Sequence, residues 1–426
     1  MKIYNSPSKE SWAEICRRPA QDISAVEGKV AAILASVREE GDAALRRLAL
    51  EIDGLSIDAI EVGEAEIAEA SAAVSDEVKQ AISRAAANIR SFHEAQLPRE
   101  IRVETAPGVC CVQRPVPVER VGLYIPGGTA PLFSTVLMLA IPASIAGCRE
   151  VILCTPPSRQ SGKIAPEVLY AASFCGVRRI FKAGGAQAVA AMAYGTESIP
   201  KVDKIFGPGN RWVTTAKQLV SRDSTAIDMP AGPSEVMVVA DSSARADFIA
   251  ADLLSQAEHG SDSQVMLVCD STGLAEAVNQ ELERQSAMLS RSGFVEQSLD
   301  KSRTVIFGSR EEMTTFANAY APEHLILSVR DPWDMAAGIS AAGSVFIGNY
   351  TPESAGDYAS GTNHTLPTCG WARSFSGVNI DSFMRKMTIQ EITREGLIGL
   401  APVITAMADA EGLGAHANAV KVRTNE

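Results

Sequence analysis

The chain is 426 residues long, 46% hydrophobic and 21% charged, the balance of an ordinary globular protein rather than a disordered or fibrous one, and its length implies about three folding units. A formal net charge of −12 excludes a general affinity for nucleic acid or anionic lipid, both of which attract clustered Lys and Arg. The N-terminus MKIYNSPSKESW lacks an apolar core of signal-peptide length, and the longest apolar stretch, Ser134 to Ala146, is interrupted by Pro142, so we expect a cytoplasmic protein without a membrane segment.

Roughly the first hundred residues read as helices of mixed charge; Val26 to Leu50 has apolar residues at helical spacing and Gly54 as a natural stop. From Val118 short apolar runs alternate with helical stretches: VGLYIP, PLFSTVLMLAIPASIAG, EVILCTPP, PEVLYAASFCG and RRIFKAGG. Strand, helix and strand in repetition implies a parallel sheet wrapped by helices. A second array of the same kind starts near Glu235, with EVMVVAD, a helix from about Ala244 to His259, SQVMLVCD, another helix, TVIFG and HLILSV. From Asp381 the chain reads as helix again, through TIQEITREGLIGLAPVITAMADAEGL, and ends in a tail too small to fold alone. The expected fold class is therefore α/β: two Rossmann-like but incomplete lobes with parallel sheets, plus small helical segments at both ends.

Glycine clusters follow three strand-like runs: Gly127-Gly128, Gly184-Gly185 and Gly207-Pro208-Gly209. FGPGNRW begins like the dinucleotide fingerprint, but Trp212 stands where the third glycine belongs; Asp228 lies about twenty residues on, as in that fingerprint. Tight turns without a ligand account for most such glycines. The eight cysteines form no C-x-x-C pair, so neither a thiolate zinc site nor a redox dithiol is signalled; Cys154 and Cys269 end apolar runs as small hydrophobes.

Histidine occurs only at His93, His259, His324, His364 and His416. In QAEHG, Gln256 and His259 are three apart and share a helix face, although the motif alone favours a histidine capping a helix C-terminus. PEHL sets Glu323 beside His324 at a strand entry, where both can reach one site only if the backbone is irregular. The polar loop PESAGDYASGTNHTLPT holds Asp357 and His364, and EGLGAH holds Glu411 and His416. Gln256, His259, Asp357 and His416 make a chemically sensible zinc set of nitrogen and oxygen donors, but their wide spacing does not group them.

Together the blocks LYIPGGTAPLFSTVLMLAIPA, GGAQAVAAMAYGTESIPKVDKIFGPGN, IDMPAGPSEV, DLLSQAEHGSDSQV, APEHL, SVFIGNYTPESAGDYASGTNHTLPT and EGLGAHANAV closely resemble histidinol dehydrogenase, in this order and over nearly the whole chain. The resemblance implies one zinc per subunit held by Gln256, His259 and Asp357, with His416 supplied by the partner in a homodimer. It implies Glu323 and His324 as the catalytic pair and Ser234, His364 and Glu411 as further contacts to L-histidinol, beside the zinc and catalytic residues. Tyr124, Gln187 and Asn210 are the NAD contacts it implies, in place of a complete glycine fingerprint. The chemistry it implies is a four-electron oxidation of L-histidinol through L-histidinal to L-histidine with two NAD, in which His324 removes the hydroxyl proton and Glu323 activates water.

On this resemblance the chain divides into an N-terminal helical segment (1–23), a first α/β lobe from 24–123 and 236–380 carrying most zinc and catalytic residues, a second lobe (124–235) with the NAD contacts, and a helical tail (381–426) that reaches the partner's active site. Three rivals stand beside it. One is a thiohemiacetal mechanism like that of aldehyde dehydrogenases, with Cys111 or Cys148 as nucleophile. The others are a related dehydrogenase of another small polar alcohol and a nucleotide-binding protein without activity.

Overall fold

The computed structural model describes residues 1–18, 24–127, 130–223, 225–230 and 232–424, apart from the side chains of 24 and 25. Residues 19–23 of the expected N-terminal segment, Gly128 of the first glycine pair and residues 425–426 of the tail lie outside them.

Both parallel sheets are present. The strands Arg120–Tyr124, Glu150–Thr155, Arg179–Lys182, Lys204–Phe206 and Ala226–Ile227 form a five-stranded sheet, every neighbouring pair of it parallel. One face packs against Phe133–Ala146, Pro166–Phe174 and Asp76–Glu94, the other against Ser24–Glu40, Gly185–Tyr194 and Arg211–Asp223. The apolar stretch around Pro142 is a core helix, Phe133–Ala146, buried on nearly every side among those elements. Among the described residues no helix is long and apolar enough to cross a membrane.

The second sheet has six strands, built around Glu235–Ala240, Gln264–Cys269 and His324–Ser328, each of them buried on both faces. Continuous burial is why these segments read as unbroken apolar runs rather than alternating ones. Ala246–Ala257 and Thr272–Ser286 cover one face, and Trp12 with Arg310–Tyr320 covers the other.

Three expectations need correction. The N-terminal segment opens with a strand, Lys2–Asn5, paired in parallel with Arg303–Ile306, so it belongs to the six-stranded sheet. Residues 24–94 pack on the five-stranded sheet and not on the lobe of 236–380: Val26, Val30 and Leu34 share a core with Ile152 and Phe181, and a boundary at 123/124 would cut the strand Arg120–Tyr124. Amphipathic helices show which face they bury, but not which sheet receives it. The tail begins with a strand, Met384–Ile392, antiparallel to Val109–Pro117, which also pairs with Ile101–Ala106. Most of that strand is exposed within one chain, so no apolar alternation marked it out. Arg394–Ala410 and Gly414–Thr424 follow as the expected helices.

Candidate active site

Gln256, His259, Asp357, Glu323 and His324 come from three places around the amino-terminal edge of the six-stranded sheet. Gln256 sits in the last turn of Ala246–Ala257, fully buried, with its amide 3.0 Å from His259 Nδ1. His259 lies just past the helix end, partly open to solvent, where it feels the charges of Asp357, His324 and His364. Asp357 projects from the short helix Glu353–Tyr358, its Oδ1 3.6 Å from His324 Nε2.

Glu323 and His324 do share one site, because the backbone before them is irregular. Ala321 adopts the left-handed conformation with φ 54°, and regular strand alternation begins only at His324. The buried Glu323 carboxylate lies 3.6 Å from His324 Nδ1 and accepts a hydrogen bond from the backbone N–H of Glu235 at 2.9 Å. His324 Nδ1 donates to the Glu235 carbonyl at 3.3 Å. The other ring nitrogen, Nε2, faces Asp357 at 3.6 Å and has no hydrogen-bond partner.

Burial pushes the Glu323 carboxyl above its ordinary range, against the opposing pull of His324. Burial alone would lower the His324 imidazole, but the negative charges of Glu353, Glu323 and the nearby Asp357 hold it well above its usual value. Asp357 is pushed up by burial and pulled further down by His324, His364 and His259, so it stays ionised.

Glu353 was not foreseen. It is 1% exposed, 3.9 Å from His324 Nδ1, and neither of its oxygens has a hydrogen-bond partner. Among the described residues, His324, Glu353 and Asp357 offer ligating atoms all within 4.8 Å of one another. Gln256 Oε1 and His324 Nε2 are also buried and unpartnered. Buried polar atoms without partners are rare, and nitrogen and oxygen donors around two carboxylates suit a borderline-soft divalent cation. The residues present fit zinc.

His364 is held between lobes, its Nδ1 donating to the Asp357 carbonyl at 2.9 Å and its Nε2 3.2 Å from Thr135 Oγ1 on the first turn of Phe133–Ala146. Burial lowers its basicity, against the opposing effect of Asp357. Ser234 precedes the strand Glu235–Ala240 at the same edge, in a loop whose Gly232 N–H donates to Thr368. Glu411 and His416 stand apart, exposed on the tail, Glu411 at the end of one helix and His416 early in the next.

The residues expected to meet NAD gather at the carboxyl ends of the five-stranded sheet. Tyr124 ends its strand, and its buried hydroxyl accepts from the Gly185 N–H at 3.2 Å, with burial pushing its pKa up to about 12. Gln187 lies in the first turn of the helix after Gly184. Asn210 caps Arg211–Asp223, its Oδ1 accepting from the N–H groups of Trp212 and Val213. Gly207 has φ 128°, and a Cβ there would fall on the Tyr124 carbonyl oxygen, so this glycine serves a close backbone approach. Asp228 cannot serve as a ribose acceptor: it is 1% exposed, paired with Lys217, and accepts the Gly207 N–H at 2.8 Å.

The thiol candidates do not lie in this site. Cys148 is at the opposite, amino-terminal edge of the five-stranded sheet, its thiol pushed up to about 12 by burial, and Cys111 lies in the antiparallel sheet opposite Gln390.

The sequence model of the histidinol dehydrogenase family matches residues 16–424. Histidinol dehydrogenase of Bacteroides thetaiotaomicron is 55% identical over 425 residues, covering 100% of this chain and 99% of that one, and that of Xanthomonas euvesicatoria pv. vesicatoria is 54% identical over 95% of this chain and 94% of its own. The crystal structure of histidinol dehydrogenase from Elizabethkingia anophelis superposes with a TM-score of 0.97 at 48% identity, covering 100% of this chain and 98% of the other.

Proposed function

The chain belongs to the histidinol dehydrogenase family and is an oxidoreductase, and from that premise we propose that it is a cytoplasmic, zinc- and NAD-dependent homodimer oxidising L-histidinol through L-histidinal to L-histidine, the last step of histidine biosynthesis. The observation that carries this reading is the meeting of His324, Glu353 and Asp357 within 4.8 Å beside the Glu323 carboxylate, with His324 Nε2 and both Glu353 oxygens buried and unpartnered.

Gln256, His259 and Asp357 would hold one zinc per subunit, with the partner subunit's His416 completing the set. When bound, zinc positions the amino alcohol through its nitrogens and NAD accepts hydride, two molecules per turnover. His324 has its Nδ1 engaged by the Glu235 carbonyl, so Nε2 takes the hydroxyl proton. Proton transfer requires a neutral ring, and a cation held at Asp357 would offset the negative charge of Glu353, Glu323 and Asp357 that raises the His324 imidazole. Glu323, with Oε2 anchored on the Glu235 N–H and its basicity raised by burial, takes a proton from the water that adds to the aldehyde. Ser234, His364 and the partner's Glu411 orient the substrate. Tyr124, Gln187 and Asn210 line the edge where the cofactor lies. Keeping both oxidations in one site holds the reactive aldehyde away from solvent.

The tail supports the dimer. Arg394–Ala410 buries only Gly396 and Ala408, while Ile398, Val403 and Met407 are exposed, as are Ile101, Val103 and Met387 of the antiparallel sheet. An apolar surface of this kind is covered by a second subunit more readily than by water.

The deciding experiment measures NADH formed per histidinol consumed, before and after a chelator and after zinc is returned. Two NADH per histidinol, lost with the metal and restored by zinc, is expected. One NADH per histidinol, or full activity in metal-free protein, would overturn the assignment.

A further inference from the structure

A buried ion pair outside the reacting groups touches both members of the catalytic pair through one residue. Glu235, 2% exposed at its side chain, accepts from Arg18 Nε at 2.6 Å and Nη2 at 3.1 Å, from the Tyr320 hydroxyl at 2.9 Å and from the Cys369 N–H at 2.7 Å. Its main chain meets the catalytic pair directly: the N–H donates to Glu323 Oε2 and the carbonyl accepts from His324 Nδ1. Arg18 also donates from Nη2 to the carbonyls of Tyr320 at 2.8 Å and Ala321 at 3.3 Å, and its guanidinium stacks 4.0 Å above the Tyr320 ring. Ala321 is the left-handed corner that brings Glu323 and His324 to one side.

A buried ion pair is weak evidence for stability, because desolvation offsets most of its attraction. Here its four-fold hydrogen bonding joins four pieces of chain that are otherwise separate: the N-terminal segment at Arg18, the first residue of Glu235–Ala240, the turn 320–324 and the loop at Cys369. A non-glycine residue held left-handed is strained, and the two carbonyls flanking that corner are the ones Arg18 takes.

We propose that Arg18, Glu235 and Tyr320 form a positioning clamp that sets the mutual orientation of Glu323 and His324. This rests on the assignment of those two as the catalytic pair. Arg18, Glu235 and Tyr320 contact none of Gln256, His259 and Asp357, which come from the last turn of Ala246–Ala257, the residues just after it, and Glu353–Tyr358. Its loss therefore acts on turnover, and not on substrate capture or metal content.

The test replaces the pair by apolar residues of similar size, Arg18→Met with Glu235→Leu, in the full-length enzyme. The kcat of both half-reactions is expected to fall on the order of 100-fold, the usual cost of misplacing reacting groups by about 1 Å, while KM for histidinol, zinc content and thermal midpoint stay at parental values. Tyr320→Phe, which removes a single hydroxyl, and Arg18→Ala, assayed with and without ethylguanidinium, cover the case in which the double variant does not fold. Smaller kcat losses are expected, with saturable recovery on adding the guanidinium. Parental kcat in folded variants, or a KM and midpoint that deteriorate in step with kcat and no guanidinium rescue, would overturn the clamp. Glu323→Gln and His324→Asn are measured alongside: if these keep full activity, it is the assignment of the catalytic pair that fails.

Discussion

His416 and Glu411 are exposed on a tail that turns few of its apolar residues toward its own chain, whereas Gln256, His259 and Asp357 lie together on the body. If the partner's tail completes each site, the two halves of the ligand set can be separated genetically. Consider chains carrying His259→Ala, with a defective body and a sound tail, and chains carrying His416→Ala, the reverse. Each homodimer is inactive, because every site in it lacks a ligand. In a mixed dimer one site combines both defects and the other combines a sound body with a sound tail. Random pairing makes about half of the dimers mixed, each with one good site of two, so co-refolded protein should recover about a quarter of wild-type activity in a closed two-fold dimer. Bound zinc should return in the same proportion. The control is a co-refolded pair of His259→Ala and Asp357→Ala, both on the body, for which no mixed dimer contains a sound site. The assay is NADH production from histidinol after joint refolding from denaturant. If the His259/His416 mixture remains as inactive as its parents while each variant refolds to a dimer, the shared-site arrangement is wrong and His416 must be sought in its own chain's site.

Glu323→Gln should slow oxidation of the aldehyde far more than that of the alcohol, since only the aldehyde step needs an activated water; stopped-flow traces that slow equally for both substrates would remove it from that role. His324→Asn should impair both. Gly207→Ala places a Cβ against the Tyr124 carbonyl at φ 128°, and a destabilisation of about 2–3 kcal/mol is expected in urea titrations, with weaker NAD binding in the folded fraction; an unchanged midpoint would contradict the close approach. His93 is buried, donating from Nδ1 to the Ile89 carbonyl, and burial lowers it from its ordinary 6.5. The unfolded chain then binds the extra proton, so stability is fully present above about pH 6.5 and declines as pH falls toward the lowered native value. His93→Gln should flatten that part of the stability curve relative to wild type, measured by denaturant titration, and an unchanged slope would refute the assignment.

Much of the fold was legible because its strands are buried on both faces and separated by helices with plain periodicity; Glu235–Ala240 and Gln264–Cys269 are such runs. The antiparallel strand Met384–Ile392 was not, since most of its residues are exposed in one chain and no alternation betrays it. Partner choice was equally invisible: nothing local in Ser24–Glu40 states which sheet it covers. At the site, family blocks supplied residues whose own spacing could not group them. Glu353 lies within one of those blocks, four residues before Asp357, but its complete burial follows from how a short helix packs and not from its polar neighbours. Arg18 and Glu235 are separated by 217 positions, so only the folded chain joins them.

The two lobes also differ in which edge carries the chemistry. In open parallel sheets ligands meet the carboxyl ends of strands, and Tyr124, Gly184 and Gly207 obey this in the five-stranded sheet, each following a strand. In the six-stranded sheet the proposed catalytic pair, Glu323 and His324, and Ser234 lie at the amino-terminal starts of His324–Ser328 and Glu235–Ala240. Gln256 and His259 reach the same edge because they end the helix that leads into Gln264–Cys269. Searching the loops after strands therefore finds the residues proposed to meet the cofactor and misses those proposed for catalysis. The His364 contact to Thr135, beside the Asn363 hydrogen bond to the Met138 carbonyl, ties the loop after Asp357 to the first turns of Phe133–Ala146, the helix that follows Arg120–Tyr124. The carboxyl edge of one sheet is thus brought toward the amino edge of the other. Hydride transfer between a cofactor on the first and a substrate on the second requires that juxtaposition, which a single sheet, with its ligands gathered at one edge, does not provide.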